Sequence, residues 1–413
     1  MRLSIARPHT QEQSNFHHLV LDIVWFGLAF PATSRFLSVY AIRLGAEANE
    51  LSLLTSLPAI VLLLSASISN WWMSRYTNTM KALFWPTFGF RLVFLLPAFT
   101  PFMPPDFQPI WLILSLTLPA IPQGVSSVVF LVMMREAVND KLMPPLLSRR
   151  SLALNATVGI SGLALGVWLE KAPFPFNYQA MFVLAFLMAL VSLWHVTQIR
   201  LLPLPAPNVT AVPAISPWRS PDFLRVGFIC AITHIAFFSV LPLLPLHLVN
   251  NLDASEGFMA LFALAELAAG AVVAAFTNRA ARWIGNRSLI ALAMVGTSVG
   301  TLIVALAPSL NITLLAAALT GGSWTAAGIA LFAFFSENTP LERRSHYTTA
   351  YTQIIFLAMF VGPMIGSGLY NRGVNLVVII LTGAALRLLA GFLVQMHMPG
   401  WFRRTRQAIS QPR

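Results

Sequence analysis

The chain has 413 residues, of which 57% are hydrophobic and only 10% charged, where an ordinary soluble domain carries about 25% charged residues. That balance excludes a water-soluble globule, and the net charge of +12 is not laid out as the basic stripe with interleaved aromatics of a nucleic-acid binder. A single cysteine, Cys230, excludes an intrachain disulfide framework.

The first sixteen residues are polar and no cleavable signal is expected, because the first apolar run is long enough to span and stay. Twelve runs of roughly 20 mostly apolar residues follow. They centre near Phe30, Ile60, Arg91, Pro122, Ile160, Leu190, Ala236, Ala268, Gly296, Ser323, Met359 and Leu386. Lipid offers no partner for a backbone amide, so these runs are predicted to be helices. The expected fold is an all-α integral membrane protein with twelve transmembrane helices, arranged as two six-helix bundles related by pseudo-two-fold symmetry.

Between Arg200 and Arg225 the chain reads RLLPLPAPNVTAVPAISPWRSPDFLR, whose six prolines break helical continuity. The domains expected are residues 1–199, a Pro-rich linker over 200–222, and residues 223–413 ending in a basic tail. If the termini, the linker and the even-to-odd loops share one side, that side holds 20 of the 26 Lys and Arg residues. The other side has three, Arg43, Lys171 and Arg372, while Arg35, Arg91 and Arg387 fall within spans. The positive-inside rule then makes both termini cytoplasmic, in a multi-pass protein of the plasma or inner membrane.

Three features recur in the same order in the two halves. Arg75 and Arg279, each in a polar loop after the second or eighth run, are 204 residues apart. Glu136 and Glu337, at the exits of the fourth and tenth, are 201 apart. An Arg-Arg-Ser follows each of these acids, at Arg149 to Ser151 and at Arg343 to Ser345. The echoes argue for a duplicated six-helix unit.

On these features the whole chain resembles the major facilitator superfamily. That family's loop signature is roughly Gly-x-x-x-Asp-Arg-x-Gly-Arg-Arg. The first copy here keeps Arg75 but has Ser74 for the Asp, and the second keeps Arg279, Gly285 and Arg287 with Asn278 before the Arg. The resemblance implies two cytoplasmic latches, Arg75 with Glu136 and Arg279 with Glu337. The competing reading makes these residues topology signals and solvated loop charges worth under about 1 kcal/mol each.

Corresponding helices interrupted at mid-membrane mark transporter binding sites. Span four carries LPAIPQGVSS around Pro119, Pro122, Gln123 and Gly124, and span ten carries LTGGSWTAAG around Gly321, Gly322, Ser323, Trp324 and Thr325. Both are expected to be loosened there, although small residues also permit close helix packing. By the resemblance, spans one and seven supply the other cavity walls. Span one contributes Asp22, Trp25 and Arg35, and span seven contributes His234, which is read either as a packing residue or as a proton relay.

Charges inside spans seldom face lipid. Depth matching pairs Asp22 with Arg91 and Glu266 with Arg387. Either these are neutralising pairs that hold each bundle together, or Asp22 or Glu266 carries a proton through the cycle. Proton coupling and direction stay open. Ala120 stands four residues before Gly124, where many proton-coupled relatives have Arg. The antiporter-like Gly-Pro stretch is missing from span five, while span eleven has VGPMIGSG with Gly362, Pro363 and Gly366.

No H-E-x-x-H, phosphate-binding Gly loop or Cys cluster is present, so neither an enzyme nor a cofactor or metal is expected. The function expected is alternating-access transport of a small organic solute, by proton-linked efflux or by facilitated or symported uptake of a metabolite. A non-transporting sensor with the same fold is the other possibility. The partners expected are the bilayer, the solute and protons, with no nucleic acid, and a monomer is the default.

Overall fold

In the computed structural model of the protein the described residues are 11–139, 141–202, 216–339 and 344–396, with the side chains of 144 and 344–346 excepted. The linker over 203–215, Arg343 and the side chains of Arg344 and Ser345 in the second Arg-Arg-Ser, and the basic tail from 397 lie outside them.

The described residues are helical, without strands. The first half runs through α1 (Gln11–Ala29), α2 (Pro31–Ser34), α3 (Phe36–Arg43), α4 (Ala48–Ser67), α5 (Ser69–Met73), α6 (Thr79–Arg91), α7 (Gln108–Ala137), α8 (Met143–Lys171) and α9 (Phe176–Thr197). After the linker come α10 (Pro221–Phe238), α11 (Leu243–Asn251), α12 (Glu256–Ile284), α13 (Asn286–Leu306), α14 (Ile312–Glu337), α15 (Arg344–Tyr370) and α16 (Leu376–Gln395). Ten helical stretches are long and apolar enough to cross a membrane, and eleven if the bent pair Thr79–Phe94 and Leu96–Phe102 is one span. The first predicted span is not among them; there the chain runs as α1, α2 and α3.

Local chemistry sets several helix starts. Asn78 accepts from the Met80 amide at 2.7 Å to begin α6, and Asn375 accepts from Val377 at 2.9 Å to begin α16. Gly285 turns the chain between α12 and α13 at φ 80°, a backbone region costly to any residue with a Cβ. Arg287, two residues on, donates to the carbonyls of Val394 and Met396 at the end of α16, where a cation suits the negative end of the helix.

The chain divides into two compact units, Met1–Asn208 with Val249–Leu264, and Val209–Leu248 with Ala265–Arg413. In the first, α1 packs along α8 and α9 while α7 packs on α4 and α6. In the second, α13 lies against α14 and α16, and α10 lies against α15. Helices in lipid gain little from burying apolar surface, so close approach through small residues does much of the packing. A Cβ on Gly124 would stand 1.9 Å from Ser65 Oγ and 2.9 Å from the Ala66 nitrogen. One on Gly321 would stand 2.3 Å from the Glu266 carbonyl oxygen.

Spans one, three and seven, not four and ten, are interrupted, span three at the 40° bend between Phe94 and Leu96. Pro31 lacks the N–H that would bond the Gly27 carbonyl, and Ser161 on α8 donates to that carbonyl at 3.4 Å. Ser34 Oγ returns to the Phe30 carbonyl at 2.9 Å, and Arg35 leaves helical geometry at φ −123°, ψ −48°. In span seven, α10 ends at Phe238 and α11 restarts at Leu243; Pro242 cannot donate to Phe238. By contrast α7 continues through Pro119 and Pro122, and α14 continues through Gly321 and Gly322. The glycines expected to loosen those helices are where neighbouring helices come closest.

Candidate functional site

In the first unit a polar centre is assembled from four helices. Asp22 on α1 is 4% exposed, and its Oδ1 accepts from the Ser192 hydroxyl of α9 at 2.6 Å. Arg91 Nη2, at the end of α6, is 3.6 Å from the same oxygen, and Arg150 Nη1 on α8 is 3.1 Å from Oδ2. Arg91 also donates to the carbonyls of Ala189 at 2.6 Å and Thr87 at 2.9 Å, and to Ser192 Oγ at 2.7 Å. Arg150 further donates to the Leu19 carbonyl. Asp22 and Arg91 share this centre, and Arg150 and Ser192 complete it. Arg150 was readable only as half of a loop motif, and a serine in an apolar run carries no signal of its own.

The centre is buried polar chemistry of the kind that persists in lipid only when every group has a partner. One turn nearer the chain's start, His18 Nδ1 and His195 Nδ1 are 3.0 Å apart. Beyond them the Asn15 side chain donates to the carbonyls of Ala137 at 2.8 Å and Arg200 at 2.7 Å, tying α1 to the end of α7 and the start of the linker.

The second unit has a different solution. Arg387 on α16 is 0% exposed and donates to the Phe237 carbonyl at 2.8 Å, the Ala236 carbonyl at 3.5 Å and the Thr297 carbonyl at 3.2 Å. It also donates to the Thr301 hydroxyl. Two of these carbonyls belong to the last turn of α10, which the break in span seven leaves without amide partners. Arg387 therefore caps a helix end inside the bundle, where the dipole favours a cation. These bonds run to carbonyls and a hydroxyl, and Glu266 acts on the same guanidinium electrostatically. The Glu266 backbone also meets Gly321 of α14.

The same break arranges an aromatic cluster. Trp324 on α14 stacks on Phe237, with ring centroids 3.6 Å apart and planes at 10°. The His234 ring meets Trp324 edge-on at 5.2 Å, and its Nδ1 is 2.8 Å from the Cys230 carbonyl. His234 is 7% exposed whereas Trp324 is half-buried. Ser323 and Thr325 flank the indole, but their hydroxyls face the notches at Gly296 and Gly270. In the first unit Trp25 and Gln123 are half-buried on α1 and α7, and Arg35 is half-buried at the α2–α3 junction.

Neither expected latch is joined. The Arg75 guanidinium lies 3.8 Å over the Trp71 ring, while Glu136 Oε2 is buried with no hydrogen-bond partner. Arg279 lies 5.3 Å over Trp283, and Glu337 accepts instead from Asn286 Nδ2 at 2.7 Å. In both halves the Arg rests on a Trp four residues away, which a flat guanidinium does well; Arg279, expected in a polar loop, lies within α12 (Glu256–Ile284).

An ion pair outside these expectations lies at the other end of the first unit. Arg43 Nε is 2.9 Å from Glu256 Oε1, which also accepts from the Tyr178 hydroxyl at 3.2 Å. Tyr178 is stacked on Tyr40 at 4.4 Å.

Spans broken within the helical array, a buried polar centre in the first unit, and a buried arginine with an aromatic cluster at the break in span seven define the class as a polytopic helical membrane protein. The sequence model described as Major Facilitator Superfamily matches residues 22–363 and, in a second match, 226–409. The chain belongs to that superfamily. Solved structures similar to it include the POT family transporter PepTSo, at TM-score 0.73 and 10% identity over 96% of this chain and 99% of that one. The nucleoside transporter NupG, in a mutant form, is similar at TM-score 0.71 and 8% identity, over 93% and 99%. The inward open xylose transporter XylE from E. coli is similar at TM-score 0.69 and 12% identity, over 96% and 99%. No curated protein matches the chain by sequence.

Proposed function

We propose that the protein is a secondary transporter that moves a small organic solute by alternating access of two six-helix bundles, with proton-linked efflux of an amphipathic compound as the leading reading. The observation that carries the solute class is the half-buried indole of Trp324, fixed by Phe237 and His234 beside the break in span seven. A rigid aromatic face with one N–H suits a ligand with a flat apolar part and a polar end. Trp25, Arg35, Gln123, Ser323 and Thr325 are the further contacts in this reading. Asp22 with Arg91, and Glu266 with Arg387, are its charge-handling groups. Arg75 with Glu136 and Arg279 with Glu337 are latches that close in another state of the cycle. The reading needs no cofactor and no chemical conversion.

A second reading, uptake of a polar metabolite, is favoured by similar folds described as a nucleoside transporter and a D-xylose-proton symporter. Proteoliposomes with an internal pH dye separate the two. Proton flux evoked by planar amphipathic compounds, and abolished in Trp324→Ala, supports the first. Flux evoked only by sugars or nucleosides replaces it with the second, and an absence of solute movement with any of them refutes both.

A further inference from the structure

A groove of about 490 Å³ lies between the start of α6 and the end of α9, within the roughly 300–1,000 Å³ that small-ligand sites take. Met80, Leu83, Phe84, Leu193 and Val196 give it apolar walls, and Lys81 stands at its rim with Tyr76 and Thr197. Lys81 is exposed and, among the described residues, makes no ion pair. Its neighbours are those of a membrane interface: Trp85 is 62% exposed, Trp194 54% and Phe84 39%. Such a belt of amphipathic rings sits at headgroup depth.

Two features select the occupant. Lys81 opens the first turn of α6, so its ammonium adds to the positive end of the helix dipole. It also lies on the side of the chain that carries 20 of the 26 basic residues. An acyl chain beginning in the apolar part of the groove would bring its phosphate to Lys81, with the Tyr76 and Thr197 hydroxyls beside it. We propose that this groove binds one anionic glycerophospholipid from the leaflet facing the basic loops. The inference is independent of what the protein transports.

The test uses the full chain in mild detergent, titrated with dioleoyl phosphatidylglycerol or dioleoyl phosphatidylcholine and read by native mass spectrometry. The first lipid should bind about fivefold tighter as phosphatidylglycerol, the factor one surface lysine contributes toward anionic lipid. Lys81→Gln should erase that preference while leaving phosphatidylcholine binding intact. Met80→Trp, which fills the groove, should weaken the first step for both lipids, and Lys171→Gln, on the side with only three basic residues, should change nothing. An unchanged melting temperature in each variant shows that the fold is retained. Equal binding of the two lipids by the unsubstituted chain overturns the proposal. So does a preference that survives Lys81→Gln, or Met80→Trp binding like the unsubstituted chain.

Discussion

Arg43 and Glu256, 213 residues apart in the chain, form a 2.9 Å ion pair in the first compact unit. Residues 249–264 belong by sequence to the second half yet pack in this unit. Gly166 and Glu170 of α8 close on the same helix start, where a Cβ on Gly257 would stand 2.3 Å from Glu170 Oε2. Glu256→Gln should loosen this contact. The readout is thiol labelling of Ala254→Cys, a position 1% exposed, in a chain carrying Cys230→Ser. Labelling should accelerate in the Gln variant, and an unchanged rate would mean that packing alone holds the segment.

The Asp22 centre predicts a large, non-additive effect. Asp22→Asn leaves Arg91 and Arg150 buried without their carboxylate, and breaking such a cluster costs about 3–5 kcal/mol. Thermal unfolding in detergent should therefore fall by many degrees. Adding Arg150→Gln should recover part of the loss, because one orphaned charge is removed. Additive losses in the double variant would show that the two residues do not share an interaction.

Two glycines of α14 should separate packing from helix propensity. Gly321→Ala drives a methyl into the Glu266 backbone, 2.5 Å from its Cα, and such overpacking destabilises by about 1–3 kcal/mol. Gly328→Ala meets nothing within 4 Å and should be neutral or stabilising by up to about 1 kcal/mol. Melting curves of the two variants decide the matter, and equal effects would sink the close-approach account.

Trp324→Ala removes the stack on Phe237, an interaction worth about 0.5–1.5 kcal/mol beyond the area buried. It should also abolish ligand-induced thermal shifts in a small-molecule screen, while Trp324→Phe keeps part of them. Shifts retained in the Ala variant would place the solute elsewhere.

Glu136→Gln should not destabilise the fold, because Oε2 is buried with no hydrogen bond to lose and a neutral amide costs less to bury than a carboxylate; a lowered melting temperature would contradict this. If the latch reading is right, Glu136→Gln with Glu337→Gln still changes thiol accessibility on the basic side. Unchanged accessibility in that double variant would reduce the four residues to loop charges.

The long apolar runs, the Pro-rich linker and the echo of Arg75 with Arg279 are written in the sequence, because span length and loop charge are one-dimensional properties. So was the equal depth of Asp22 and Arg91, since rise along a helix is a fixed 1.5 Å per residue. Which faces adjoin is not one-dimensional. Only tertiary packing gave Asp22 a second guanidinium from Arg150 and a hydroxyl from Ser192, and only the break in span seven gave Arg387 a helix end to cap. Pro122 and Gly321 predict loosened helices, because Pro and Gly weaken a helix in isolation. In place, neighbouring helices press into those notches and α7 and α14 stay whole. Interruptions fall instead beside Leu95 and at Pro31 and Pro242, and at the two prolines the side chains of Ser161, Ser34 and Arg387 take up nearby carbonyls.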